Sequence, residues 1–395
     1  MNTTTETTPP VAKRPWRDPR VRAIAFQILA LAVVGWLGWT LLDNTLTNMA
    51  ERGISTGFGF LDEPAGFGIL FSLIPYNETM SYGRTFWVGL LNTLLVSGLG
   101  IVIATLLGFI VGIARLSSNW LIAKLALAYI EVFRNIPLLL QIFFWYFAVL
   151  QNLPSPRQSV TVGEAVFLNN RGLYLPEPIF QSGAGWVALA LLAGIAATVL
   201  LAWAAKRRQD RTGRRLPVFW PGLALIIGLP ILAYALAGTP ITWQLPALQG
   251  FNFRGGMTVL PELAALLTAL AVYTAAFIAE IVRSGILSVD RGQVEAASAL
   301  GLRPRLTLRL VVIPQAMRVI IPPLTSQYLN LTKNSSLATA IGYPDLVAVF
   351  MGTTLNQTGQ AVEIVAMTMA VYLVISLSIS ALMNLYNRAV ALKER

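Results

Sequence analysis

Eight stretches of the 395-residue chain stay apolar long enough to cross a bilayer: 23–42, 86–114, 125–150, 186–205, 216–237, 263–279, 310–332 and 364–387. About 20 such residues in a helix match a hydrocarbon core of roughly 30 Å. Six of the eight carry no charge. The other two are interrupted: 125–150 holds Glu131, Arg134 and Pro137, and 310–332 holds Arg318 and three prolines. This pattern predicts an all-α, polytopic membrane protein of about eight transmembrane helices. Between the spans, 151–182 is rich in Pro, Gly and Asn and reads as irregular surface. Residues 55–85 mix apolar and Gly-rich pieces and read as a segment lying on the outer interface of the membrane. A short soluble helix is expected over Gln293–Leu300, with Ser288 or Asp290 near its start and Gly301 and Pro304 ending it.

Composition sharpens that picture. The chain is 55% hydrophobic and 12% charged, with a mean hydropathy of +0.65, which excludes an ordinary soluble domain. Its net charge of +11 would suit a nucleic-acid partner were it not for where the cations fall. With the N-terminus inside, 21 of the 29 Lys and Arg lie in the segments before residue 23, at 115–124, 206–215, 283–309 and 388–395. That is the positive-inside bias of a membrane protein with both ends in the cytoplasm, and no nucleic-acid partner is needed to explain it.

The chemistry available is limited. There is no cysteine or histidine, which removes thiolate metal sites, the usual proton shuttle and the commonest metal ligand. No Gly-Lys dipeptide occurs, so the chain has no phosphate-cradling loop of its own. No catalytic constellation and no metal site are expected. Charged residues inside spans are functional candidates. Glu131 and Arg134, like Glu280 and Arg283, sit three apart on one helix and could neutralise each other; alternatively, Arg134, beside the Pro137 break, faces a polar pathway. Residues 324–342, "LTSQYLNLTKNSSLATAIG", carry so many polar groups that the helix must face protein or water.

The soluble segment carries the most specific pattern. Glu295-Ala296-Ala297, three residues, Gly301, nine residues and Val311-Val312-Ile313-Pro314 closely resemble the signature cytoplasmic loop of bacterial ABC importer permeases. Residues 131–146, "EVFRNIPLLLQIFFWY", and 331–342, "LTKNSSLATAIG", resemble motifs of the polar amino acid uptake permeases. The enlarged layout and residues 352–373 look like the general L-amino acid permeases of Gram-negative bacteria. The resemblance implies a bacterial inner-membrane subunit with a five-helix permease core in two parts, 84–150 and 257–387. Around it lie a cytoplasmic tail (1–22), a first span (23–42), a periplasmic segment (43–83), an insertion with two extra spans (151–256) and a second cytoplasmic tail (388–395).

The same resemblance makes 283–309 a coupling loop, with Glu295, Ala296, Ala297, Gly301 and Pro314 docking a separate ATPase. ATP and Mg would bind on that ATPase and no cofactor on this chain. Its partners would be a pair of ATPase subunits, a periplasmic solute-binding protein, and a second permease subunit, either a paralogue or a second copy. An L-amino acid would be the cargo; opines, short peptides or another polar solute remain open, as does an ion-coupled secondary transporter. The pathway residues expected are Asn92, Arg134, Gln141, Asn330, Asn334, Ser335 and Ser336.

Overall fold

The structure, a computed structural model, describes residues 19–51, 56–213 and 216–390; most of the expected N-terminal tail and the end of the C-terminal tail lie outside them. Seven helices are long and apolar enough to cross a membrane. They are α1 (Pro19–Glu51), α2 (Tyr82–Arg115), α5 (Ala184–Thr212), α6 (Phe219–Leu236), α7 (Pro261–Leu287), α10 (Ile313–Asn334, within a longer helical run) and α12 (Ala361–Val390). The eighth expected span is broken. α3 (Trp120–Asn135) and α4 (Leu138–Phe143), which continues as a π-helical turn over Phe144–Leu150, meet at a bend of 105°. Pro137 sits in that bend, where it cannot donate a backbone hydrogen bond and disfavours helix at Ile136.

The core is built on α7. Its alanines (Ala265, Ala269, Ala275, Ala276, Ala279) are fully buried together with Leu266, Leu270 and Ile278, and small side chains let neighbouring backbones approach closely. α2 supplies the matching surface: Gly100, Ala104, Gly108 and Gly112 are buried at intervals of four residues. α10 and α3 pack on α7 as well, and α12 on α10. The short helices α8 (Arg291–Ala299) and α9 (Pro304–Thr307) connect α7 to α10, and α11 (Leu355–Thr358) precedes α12.

One connecting segment differs from its sequence reading. Residues 151–182 are not irregular: Val160–Val162, Val166–Asn169 and Gly172–Leu175 (β1 to β3) pair antiparallel. Met257–Val259 (β8), just before α7, completes that four-stranded sheet against β3. Glu177–Phe180 (β4) pairs with Ile241–Gln244 (β5), and Ala247–Gln249 (β6) with Asn252–Arg254 (β7). Gly and Asn residues that suggested irregular surface form turns of these hairpins. Gly163 has φ +63°, and Asn169 Oδ1 accepts a hydrogen bond from Arg171 N at 2.9 Å in the second turn, as Asx turns do.

The segment 56–81 is anchored on the bundle at a few points. Phe60 and Ala65 are buried against Leu346, Phe350 and Ile364, and Asn92 Nδ2 holds Phe71 O at 2.9 Å. The extra pair α5 and α6 pack on each other through Gly194 and Gly222, where a Cβ would meet Leu225 O at 2.5 Å and Thr198 Cγ2 at 2.7 Å. Their remaining surface is largely exposed.

Candidate functional site

Between α7 and α10 the chain leaves the bundle as a compact loop. Asp290 starts α8 by accepting a hydrogen bond from Gly292 N at 2.6 Å, which satisfies one of the free donors of a helix N-terminus. Gly301 ends it with φ +73°, and Leu302 N returns to Ala297 O at 3.1 Å, the closing bond of a Schellman stop. The helix runs from Arg291 to Ala299, two residues earlier at its start than the sequence suggested. Ala297 is buried, whereas Glu295 and Ala296 are exposed. Leu300, at the tip, is 82% exposed, a large apolar side chain with no cover in this chain. Pro314 follows the π-helical turn Leu308–Val312 inside the helical run Pro304–Ile341, an irregular turn next to the residue that lacks a backbone donor.

The expected pathway residues separate by what their polar atoms already hold. Asn92 is fully buried, and its Nδ2 donates to Phe71 O at 2.9 Å and to Pro344 O at 2.8 Å. Gln141 is buried too, with Nε2 donating to Phe133 O and Ile136 O at 3.0 Å each, so it pins the 105° bend. Both amide NH₂ groups are thus committed to backbone carbonyls of irregular segments. Ser335 donates to Thr332 O at 2.8 Å and Ser336 to Lys333 O at 2.7 Å, as hydroxyls do when they back-bond within a helix.

Asn330 and Asn334 behave differently. They line a cleft of about 310 Å³ with Tyr273 and Phe277 of α7 and Gln327 and Lys333 of α10. Arg134 stands beside it, its guanidinium carbon 5.2 Å from the centre of the Phe277 ring, a cation–π contact. Arg134 is not paired with Glu131, which instead accepts from Asn135 Nδ2 at 3.3 Å. The other expected pair does form, Arg283 to Glu280 at 2.6 Å. Among the described residues, the side chains of Gln327, Asn330, Lys333 and Asn334 make no hydrogen bond or ion pair with one another or with the rest of the chain.

A second polar cluster sits in the connection between α10 and α12. Asp345, between the spans Pro304–Ile341 and Ala361–Arg388, is 1% exposed. Its Oδ1 accepts from Ala348 N at 2.8 Å at the start of the π-helical stretch Val347–Thr354. Burial pushes its carboxyl up to about 7, against partial relief from the backbone donors of Ala348 and Val347. A carboxyl whose folded pKa is raised favours the folded state when protonated. Its contribution is therefore complete below about 4 and is lost as pH rises through about 7. Asp345→Asn, neutral and of equal size, should fold and should flatten the fall in unfolding midpoint between pH 5 and pH 8, measured by thermal denaturation in detergent. An unchanged pH dependence in Asp345→Asn would assign the effect elsewhere.

Residues 212–392, which include α7 to α10, match the family described as the binding-protein-dependent transport system inner membrane component. The chain is 62% identical over 382 residues to YhdX of Escherichia coli K12, whose name assigns it to the amino-acid ABC transporter permeases, covering 96% of each chain. The chain belongs to the ABC transporter permease family. The permease is also 53% identical over 378 residues to AapQ of Rhizobium johnstonii, a general L-amino acid transport system permease, across 96% of this chain and 94% of that one. With BztB of Rhodobacter capsulatus, a glutamate/glutamine/aspartate/asparagine transport system permease, it shares 45% identity over 411 residues, 96% of each chain. It is a multi-pass membrane protein of the amino-acid branch of that family.

Sequence reasoning missed part of the permease's cleft. Gln327 and Lys333 belong to the polar stretch 324–342 but were not among the expected pathway residues. The signal was present: Gln327, Asn330 and Asn334 recur at i, i+3 and i+7, a single helical face, and Lys333 lies beside them. Tyr273 and Phe277 recur at i and i+4 on α7 but look like ordinary core aromatics in an apolar span.

Proposed function

We propose that the permease is the membrane-spanning subunit of an importer that moves L-amino acids from periplasm to cytoplasm by alternating access, with ATP hydrolysed by a separate subunit docked on α8. One observation carries the reading: the loop with the exposed docking features is the direct connection between α7 and α10, the two helices whose facing sides form the cleft. Displacing α8 by ATPase closure would pull on both cleft walls at once. Ala297 seats α8 on the permease. Glu295, Ala296 and Leu300 are left for the ATPase surface, and Gly301 sets the exit angle of the chain toward Pro314. The cleft residues Asn330 and Asn334, with Arg134 behind Phe277, are the pathway on this subunit; Asn92, Gln141, Ser335 and Ser336 support its backbone. The cleft is open on one side, which a second permease subunit, a paralogue or a second copy, would close.

A periplasmic solute-binding protein would deliver the cargo. ATP and Mg belong to the ATPase pair. The names of AapQ and BztB support amino acids as cargo, and the cation distribution supports cytoplasmic termini. Purification of the permease from its native membrane in mild detergent should bring down an ATPase subunit and a second permease. Uptake of labelled L-amino acid should stop on ATP depletion. Uptake that survives depletion and follows an ion gradient would overturn the reading in favour of a secondary transporter.

A further inference from the structure

We infer that the two-stranded ribbon β4–β5 lies on the membrane surface with one face in the lipid, a foot that fixes the height of the neighbouring four-stranded sheet.

Register sorts the ribbon's side chains. Pro178 stands opposite Trp243, and Phe180 opposite Ile241. Alternate residues of a strand share a face, so these four apolar side chains form one face. The other face carries Glu177, Ile179, Thr242 and Gln244. A Cβ on Gly255 would lie 2.9 Å from Gln244 Nε2, so the polar face is turned toward the loop between β7 and β8. The apolar face is left uncovered by the chain, with Phe180 68% and Trp243 62% exposed. The ribbon is a sheet of its own, and two strands alone are marginal in water. Cover for its apolar face is what it lacks.

Depth identifies that cover. β4 ends at Phe180 and α5 begins at Ala184; α6 ends at Leu236 and β5 begins at Ile241. Gln181 N donates to Pro240 O at 2.8 Å, so the ribbon stands directly on the ends of this helix pair. α5 carries two exposed tryptophans, Trp186 and Trp203. Their separation along the helix is about 25 Å, close to a hydrocarbon core of roughly 30 Å. At Trp203 the Arg207 guanidinium stacks on the ring at 4.0 Å, and Lys206, Arg208 and Arg211 extend the basic end. Interfacial tryptophan followed by basic chain marks one membrane boundary there. Trp186 marks the other, and Phe180 and Trp243 adjoin it, at the level where aromatic rings concentrate. The exposed apolar surface of α5 and α6 therefore continues onto the ribbon, and the bilayer that meets the helices meets the ribbon as well. A ribbon held in this way has a mechanical consequence. Only Pro176 separates β4 from β3, and β3 pairs with β8 just ahead of α7, so the sheet is tied to the membrane plane.

The chain contains no cysteine, so single cysteines can be labelled without background. Full-length permease, purified from its native membrane as Phe180→Cys, Trp243→Cys, Glu177→Cys or Thr242→Cys, is labelled with bimane. It is then reconstituted into vesicles of phosphatidylethanolamine and phosphatidylglycerol. Quenching by doxyl-labelled lipid should exceed quenching by aqueous iodide several-fold at positions 180 and 243, and the order should reverse at 177 and 242. Trp243→Asp should cut lipid quenching of a label at position 180 several-fold, whereas Thr242→Asp should leave it unchanged. Equal iodide quenching on both faces would put the ribbon in water. Shielding of positions 180 and 243 from both quenchers would put a partner protein over them. Either result overturns the inference, as does full lipid quenching at position 180 in Trp243→Asp.

Discussion

Gly301→Val in the assembled transporter should leave the permease in the membrane at normal abundance while amino-acid uptake falls tenfold or more. The residue has φ +73°, a conformation that costs an L-residue roughly 1–2 kcal/mol and a β-branched one more. A Cβ there would meet nothing within 4 Å, so the penalty is conformational and local. Relief comes by unwinding the turn that joins Leu302 N to Ala297 O, which moves Leu300 and Glu295 away from where an ATPase would meet them. About 1.4 kcal/mol of lost docking is already a tenfold change in occupancy. The loop lies outside every span, so insertion is unaffected. Gly301→Asn separates backbone from bulk: asparagine tolerates the left-handed region and should retain most transport. The measurement is ATP-driven uptake beside the amount of ATPase that copurifies. If Gly301→Val transports and retains its ATPase like wild type, α8 is not the docking element.

The sequence was most legible where one physical rule acts alone. Apolar run length located the spans because hydrocarbon leaves helix as the only open-ended solution. The stop at Gly301 was legible because a left-handed residue after a helix favours glycine. Where two rules compete, the reading failed. Residues 125–150 satisfied the length rule, and Pro137 announced a break, but the size of the bend depends on Gln141 reaching two carbonyls across it. The hairpins of 151–182 were masked because their Gly and Asn residues signal turns and irregular chain alike, and β3 finds its outer partner only in β8, more than 80 residues later. Polarity within a span, as at Asn92 and Gln141, has two uses, lining a cavity and bracing an irregular backbone. Only the hydrogen-bond partners tell these apart.

The broken helices and the cleft depend on one rigid contact, and the largest loss of stability should follow from disturbing it. Gly108→Val, or Gly112→Val one turn further along α2, should destabilise the permease by about 2–3 kcal/mol, the upper part of the overpacking range, and most of the protein should fail to accumulate. At Gly108 even a Cβ would stand 2.6 Å from both Cβ and Cγ2 of Ile278 and 3.1 Å from Ala275 O; at Gly112 it would be 2.7 Å from Ala279 O and 2.9 Å from Val282 Cβ. Ile278 and Val282 are themselves buried, so neither can yield without displacing the next layer, and the carbonyls belong to α7. In lipid no hydrophobic force replaces the lost fit, because acyl chains are as apolar as the side chains and helix association rests on close packing. The control is Gly98 on the same helix, whose Cβ would meet nothing within 4 Å. Gly98→Ala should be neutral or mildly stabilising, since alanine is the better helix former by about 1 kcal/mol. Unfolding midpoints in mild detergent, with abundance in the membrane, distinguish the two positions. Equal tolerance at Gly98 and Gly108 would mean that α2 and α7 are not held at this distance. The cleft on the far side of α7 would then lose the fixed wall against which α10 is proposed to move.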